Sequence, residues 1–203
     1  MHNQLPSDSF MRVFRQRLNT FARQFAADTR GSVSVEFVMV MPFIFYAFMG
    51  IYVYFEGYRQ STINLKAAYT ISDLISRETE IISDEYIDSM QAMMQILTRA
   101  NSTIALRLTV VRWSEDDDRY FVEWSQNRGY SPDYTDATIS TIEDDLPLLP
   151  DNEIVIVVET SNTYRPLFNV GMDDKQLKNF VFTKPRWVDQ LCYLPNGGTQ
   201  CPD

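Results

Sequence analysis

The side chains that most often carry catalytic or metal chemistry are few and scattered in this sequence. The single histidine is His2, and the two cysteines, Cys192 and Cys201, lie among the last twelve residues. A metal centre needs several such ligands close together, and neither a G-x-S-x-G nor a G-x-x-x-x-G-K pattern occurs. The sequence therefore predicts that the protein is not an enzyme and has no catalytic residues, metal site or cofactor.

Two acidic clusters, residues 115–118 and 143–145, are the remaining candidates for cation binding. Neither has the spaced ligands and the glycine of an EF-hand loop, so solvent-exposed turns are the better interpretation. Trp113 and Trp124 could stack on sugar rings. Their positions in alternating apolar stretches instead favour the core or the surface of a sheet.

The two cysteines are candidates for a disulfide bond. They are separated by YLPNGGTQ, which turns readily because of its proline, asparagine and glycines. A pair that closes a short loop at a chain end is typical of proteins in an oxidising compartment. We therefore predict a bond between Cys192 and Cys201, with two free thiols in a frayed terminus as the alternative.

One carboxylate, that of Glu36, stands at the edge of a long apolar stretch. The nineteen residues from 37 to 55, FVMVMPFIFYAFMGIYVYF, carry no charge, and Glu56 ends the stretch. As a helix they would extend about 28 Å, close to the thickness of the hydrocarbon core of a bilayer. Tyrosines crowd the far end, as aromatic residues do at membrane interfaces. Residues 32–58 are therefore predicted to form a transmembrane helix, in which Pro42 would remove a hydrogen bond or cause a kink.

A buried helix of a soluble core is the alternative to a membrane span. The length and the uniform apolarity of the stretch argue against it. An acidic side chain at the head of a membrane helix is disfavoured unless it has a role, so Glu36 is a candidate functional residue. Its position at the N-terminus of the predicted helix makes a negative charge tolerable.

Charge is distributed unevenly around the predicted span. Residues 1–31 contain five arginines and two aspartates, a net charge of +3, whereas the rest of the chain carries −12. Positive residues before the span predict a cytoplasmic leader, residues 1–31, and place residues 59–203 outside the cytoplasm. A cleaved secretory signal is the competing interpretation, but no small-residue cut site follows the apolar stretch. The acidic outer part argues against a nucleic-acid partner.

The periodicity beyond the span predicts helices first. Apolar residues at helical spacing continue to Ile75, which extends the membrane helix outwards. Ser83 can then cap a second helix, with Asp84 and Glu85 favourably placed in its first turn. The predicted inner face of that helix contains Tyr86, Met90, Met93 and Leu97.

The period then changes from 3.6 to two. Alternating residues predict half-buried strands at 104–110 and 120–124, joined by an acidic hairpin tip, and further strands at 154–160 and 180–183. Tyr120, Val122 and Trp124 are expected on one face of the second strand. The predicted outer domain is thus α+β, with a long N-terminal helix, a shorter helix and a small antiparallel sheet.

The junction between leader and span resembles a known processing signal. The stretch RGSVSVEFVMVMPFIF is similar to the class III signal of type IV pilin-like proteins, and in particular to TadE/TadG-type pseudopilins of the tight-adherence (Flp, type IVc) pilus system. The similarity is carried by Gly31, Val35, Glu36, Phe37 and Pro42. More weakly, the later segments VVETSNTYRPLFNVG and FVFTKPRW look like those of TadE-like proteins.

The resemblance implies a processing event and a role in assembly. A prepilin peptidase in the inner membrane would cut between Gly31 and Ser32 on the cytoplasmic side. The Glu36 carboxylate would then pair with the new ammonium group of a neighbouring subunit and set the axial stagger. The expected partners are the inner membrane, the prepilin peptidase and other Tad/Flp pilus components and pseudopilins.

The size of the outer part refines this expectation. The major Flp pilin is very short, whereas residues 59–203 form a whole domain here. The resemblance therefore implies a pilin-like minor pseudopilin that primes or supports pilus assembly for adhesion and biofilm formation. It would sit in a bacterial inner membrane with its outer domain in the periplasm, or enter the pilus. The alternative is an uncleaved bitopic envelope protein whose outer domain is a binding or scaffolding module.

Overall fold

A computed structural model describes residues 17, 20, 23, 24, 32–100 and 102–194 of the 203-residue chain. Helix α1 runs without interruption through 45 residues, Ser32–Ser76. At about 1.5 Å per residue this helix is about 68 Å long. Pro42 lies inside it and removes one backbone hydrogen bond, yet the helix continues through this position. Within the described chain, α1 is the one helix that is long and apolar enough to span a membrane.

The chain divides into two compact units, Met1–Gly50 and Ile51–Asp203, and α1 contributes to both. In the first unit, the described part of α1 exposes large apolar side chains such as those of Phe37, Phe43 and Phe48. In the second unit, α1 has a buried face that recurs every three or four residues, made of Asn64, Ala67, Ala68, Ile71, Ser72, Ile75 and Ser76. The extension of the helix beyond the apolar stretch is confirmed.

The second unit is built around a four-stranded antiparallel sheet. Its strands are β2 (Ala105–Ser114), β3 (Arg119–Arg128), β4 (Ile154–Tyr164) and β5 (Lys175–Thr183), in the spatial order β3-β2-β4-β5. Helix α2 (Asp84–Thr98) precedes the sheet, and two short 3-10 helices, Ile139–Thr141 and Glu143–Asp145, lie between β3 and β4. Two-residue strands β1 (Ile82–Ser83) and β6 (Tyr193–Leu194) pair in parallel. The α+β class and the antiparallel sheet are confirmed.

One face of the sheet packs against the two helices. Leu106, Leu108 and Val110 of β2 share a core with Ile71 of α1 and Met94 of α2, and all five are fully buried. Burial of such side chains is worth about 1.5–3 kcal/mol each. The second half of α1 is therefore a structural part of the second unit.

The opposite face of the sheet is also covered, which corrects the expectation of half-buried strands. Val111 and Val157 are fully buried there beneath Ile139, Ile142 and Leu146. These last three residues belong to the connection between β3 and β4, which is mostly polar and contains prolines. Sequence periodicity could not show this cover, because the connection carries its few apolar residues at irregular spacing.

A β-bulge corrects the predicted faces of β3. The pairing of β2 with β3 shifts between Val110, which is opposite Trp124, and Val111, which is opposite Val122. The extra residue on β3 reverses the alternation. Tyr120 and Val122 consequently face the core beneath the 3-10 helices, whereas Trp124 is buried on the helix side.

The start of α2 is as predicted, but its buried face is not. The Ser83 side chain caps the helix by accepting a hydrogen bond from the Tyr86 backbone N–H at 3.3 Å. The buried residues of α2 are Ile87, Met90, Met94 and Thr98, whereas Met93 and Leu97 are partly exposed. Both sets have helical spacing and share Met90, so the pattern alone could not distinguish them.

A buried ion pair holds the connection after β3 against the sheet. Arg107 of β2 donates through Nε to Glu159 Oε2 of β4 at 2.7 Å, and both side chains are at most 10% exposed. Arg107 Nη1 also donates to the Pro132 carbonyl oxygen at 2.6 Å, and the guanidinium stacks 3.8 Å from the Tyr134 ring centroid. Breaking such a pair leaves a buried charge without compensation, so the pair fixes the fold of this segment.

Candidate functional site

The predicted processing site lies at the start of α1. Ser32 is the first residue of the helix, and Gly31 lies outside the described residues. The structure thus does not describe the backbone on the N-terminal side of the predicted cut. Cleavage between Gly31 and Ser32 stays a prediction.

Glu36 lies one turn into α1, on an apolar face. It is the fifth residue of the helix, so it lies beyond the first turn, which contains no acidic residue. Its face of the helix forms a shallow groove lined by Val33, Glu36, Phe37, Val40, Met41 and Ile44. The side chain is exposed, and no hydrogen bond or ion pair joins it to another part of the described chain.

The apolar surroundings of Glu36 limit the environments in which its charge is stable. A carboxylate among apolar residues is costly to bury unless a cation or hydrogen-bond donors accompany it. The groove surrounding Glu36 supplies neither, because its other five lining residues are apolar. In an apolar environment the Glu36 carboxylate therefore needs a partner from outside the described chain.

In the second unit, α1 packs closely against the end of β4. The Tyr164 hydroxyl donates to the Val53 carbonyl oxygen at 3.4 Å, and Val53 is buried. A Cβ atom at Gly57 would lie 3.3 Å from Tyr164 Cε1 and 3.6 Å from Met172 Sδ. The absence of a side chain at Gly57 lets the Tyr164 ring approach the helix, so a glycine in mid-helix has a packing reason here.

The loop after β4 also contacts α1. Its sequence was noted only for a weak resemblance to TadE-like proteins, and the contact was not predicted. Residues 165–174 join β4 to β5, and the Phe168 ring lies 6.4 Å from the Tyr52 ring in an edge-to-face arrangement. Leu167 beside it is 73% exposed. The available signal was an apolar Leu-Phe pair between a proline and an asparagine, where a turn is expected to be polar.

A cavity of about 210 Å³ opens beside this loop. Its lining includes Glu56, Gln60 and Asn162. Two buried amide oxygens in it, Gln60 Oε1 and Asn162 Oδ1, have no hydrogen-bond partner among the described residues. Such oxygens accept hydrogen bonds from water or from an amine, but they supply no nucleophile or general base.

Only one of the two cysteines of the predicted disulfide bond lies among the described residues. Cys192 is half-buried, and its carbonyl oxygen accepts a hydrogen bond from the Ile82 N–H at 2.9 Å. Cys201 lies outside the described residues. The structure therefore places one predicted partner firmly beside β1, and the pairing stays a prediction.

The segment around Cys192 is held by contacts with the core. The Trp124 indole N–H donates to the Leu191 carbonyl oxygen at 2.7 Å, and its ring stacks on Tyr193 with centroids 5.5 Å apart. The Tyr193 hydroxyl donates to the Asp84 carboxylate at 3.0 Å. Hydrogen bonds from Arg128 and then Tyr193 lower the pKa of Asp84, and burial followed by the Asp84 hydrogen bond raises the pKa of Tyr193 to about 12.

The two acidic clusters are solvent-exposed turns, as predicted. Residues 115–118 form the exposed tip of the β2–β3 hairpin, and residues Glu143–Asp145 form an exposed 3-10 helix. Within the part of the chain that the structure describes, no group of three or more histidine, cysteine, aspartate or glutamate residues is arranged to hold a metal ion. Trp124 is buried in the core, and Trp113 packs 4.7 Å from the Tyr120 ring on the other face.

Comparison with protein families, with curated proteins and with solved structures gives no match for this chain.

Proposed function

We propose that the protein is a minor pseudopilin, anchored in a bacterial inner membrane by α1, that primes or supports the assembly of Flp-type pili for adhesion and biofilm formation. The observation that carries this proposal is the Glu36 carboxylate. It lies one turn into an apolar helix, directly after the segment RGSVSV, and has no partner within the described chain. A charge in that position suits a helix that will meet another subunit.

The proposed assembly step begins with proteolysis. A prepilin peptidase cuts between Gly31 and Ser32 on the cytoplasmic side of the membrane, and the Ser32 amine becomes a new ammonium group. Glu36 is four positions after Ser32 in the α-helix, an axial rise of about 6 Å. A neighbouring helix displaced by about one turn therefore brings its ammonium group level with the Glu36 carboxylate. The pairing compensates both charges in an apolar bundle and selects one axial stagger.

The test replaces, one at a time, the two glutamates that flank the uncharged stretch. Glu36→Gln keeps the size of the side chain and removes its charge, and Glu56→Gln does the same at the other end. Glu56 has a local partner, because Arg59 donates to its carboxylate at 2.7 and 2.9 Å. The measurements are retention of the protein in alkali-washed membranes and the number of pili per cell by electron microscopy.

We expect both variants to remain in the membrane. Glu36→Gln should abolish pili, and Glu56→Gln should leave their number close to that of the parent. Normal piliation with Glu36→Gln would contradict the proposal. That result would favour a membrane-anchored protein whose outer domain is a binding or scaffolding module.

A further inference from the structure

The loop between β4 and β5 presents apolar side chains to the outside. It comprises residues 165–174, and Leu167 and Phe168 are 73% and 44% exposed. Single exposed apolar residues are common on protein surfaces. Two adjacent ones in one loop need an explanation from their surroundings.

The contacts of this loop place it at the last residues of the uncharged stretch. Phe168 packs against Tyr52, which belongs to the uncharged residues 37–55. Tyr164, at the base of the loop, contacts Val53 and Gly57, which lie one and five residues beyond Tyr52 along α1. The loop thus lies at the height on α1 where the apolar residues end and charged residues begin.

Two lysines near the loop are placed where they could meet phosphate groups. Residues 165–178 contain Arg165, Lys175 and Lys178 against Asp173 and Asp174, and Arg165 pairs with Asp174 at 3.3 Å. Both lysines are exposed and line a groove with Tyr58 of α1, more than one turn beyond Tyr52. At the other end of the β2–β4 pairing, the hairpin tip of residues 115–118 is wholly acidic. The end of the sheet beside Tyr52 therefore suits an anionic lipid surface and the opposite end does not.

We propose that the β4–β5 loop is a membrane-contact site: Leu167 and Phe168 enter the interface of the outer leaflet, and Lys175 and Lys178 bind lipid phosphates. Transfer of apolar side chains from water to the membrane interface is favourable. Lysine side chains that start further from the bilayer centre can extend to the lipid headgroups. The loop is a second contact with the bilayer beside α1 and limits the tilt of the outer domain on the membrane. This inference rests on the membrane placement in the proposed function.

The test measures the depth of the loop in a bilayer. Leu167 is replaced by trifluoromethylphenylalanine in the full-length protein, which is placed in nanodiscs at one copy per disc. The control carries the same label at Leu148, which is 97% exposed and precedes β4 at the opposite end of the sheet. Fluorine relaxation is recorded with dissolved oxygen, which concentrates in hydrocarbon, and with a water-soluble gadolinium chelate. Tryptophan fluorescence checks that both labelled proteins are folded.

At position 167 we expect several-fold weaker relaxation by the chelate and stronger relaxation by oxygen than at position 148. Equal exposure of the two labels to the chelate, in a protein that stays in the disc, overturns the loop proposal alone. Protection that arises only with two copies per disc also overturns it, because a second chain would then cover the loop. A protein that leaves the disc overturns the loop proposal together with the membrane placement.

Discussion

The two halves of helix α1 differ in what surrounds them. From residue 33 to 50 no side chain is buried, and large apolar residues are exposed on all sides, whereas from Val53 onwards buried residues recur with helical spacing. The first half has the surface of a helix in lipid, and the second half has the surface of a helix in a protein core. Apolar composition alone therefore does not identify what surrounds a helix, whereas the presence or absence of a polar face does.

Matched isoleucine substitutions in the two halves give the largest expected effect. Ile71→Ala removes a fully buried side chain from the core and should lower the free energy of unfolding of the second unit by about 2–5 kcal/mol. Ile44→Ala alters a side chain that is 56% exposed, and should change that quantity by less than about 0.5 kcal/mol. Urea titration in detergent, followed by tryptophan fluorescence, measures both. Equal effects would show that the two halves share one environment.

Alkaline pH should act on the second unit, Ile51–Asp203, and not on the first half of α1, with a smaller effect. Burial, as the main cause, raises the pKa of both Tyr134 and Tyr193 to about 12. The pKa of tyrosine in the unfolded chain is about 10, so the folded state favours the neutral hydroxyl more than the unfolded state does. The resulting contribution to the free energy of unfolding is complete below pH 10 and is lost as the pH rises from about 10 to 12. The urea midpoint should fall across that range, and membrane retention through the first half should not change.

The variant Tyr193→Phe sharpens this prediction. It lacks a group whose ionisation is suppressed by folding, so its urea midpoint should depend less steeply on pH between about 10 and 12. The comparison uses the slope, because loss of the hydrogen bond to Asp84 lowers stability at every pH. Tyr58→Phe is the control, since Tyr58 is 76% exposed. An unchanged slope in Tyr193→Phe would mean that this hydroxyl titrates alike in the folded and unfolded states.

Local signals in the sequence predicted much of the fold. The Ser83 cap and the hairpin with its acidic tip follow from capping chemistry and from period-two alternation. The two later strands were also predicted, although β5 begins at Lys175 and the prediction began at residue 180. These features depend on residues close together in the chain. The sequence can therefore report them without knowledge of the tertiary contacts.

Features that depend on distant residues were predicted wrongly or missed. The buried face of α2 is set by the sheet beneath it, so Met94 is buried where Met93 was expected. The bulge next to Val110 places Trp124 on the helix side of the sheet, and no local sequence pattern predicted this bulge. In the candidate site, Glu36 was identified from its type and place alone, whereas the contact between Tyr52 and Phe168 joins residues far apart in the chain.

The most direct test of the account is the N-terminal residue of the protein recovered from native membranes. The proposed function predicts a chain that starts at Ser32, with a mass reduced by that of residues 1–31, because a prepilin peptidase removes the leader. Intact-mass measurement and terminal sequencing determine this without any substitution. A chain that starts at Ser32 supports assembly through the Glu36 carboxylate and the new ammonium group. A chain that still starts at Met1 in piliated cells would contradict it, since no such ammonium group would exist.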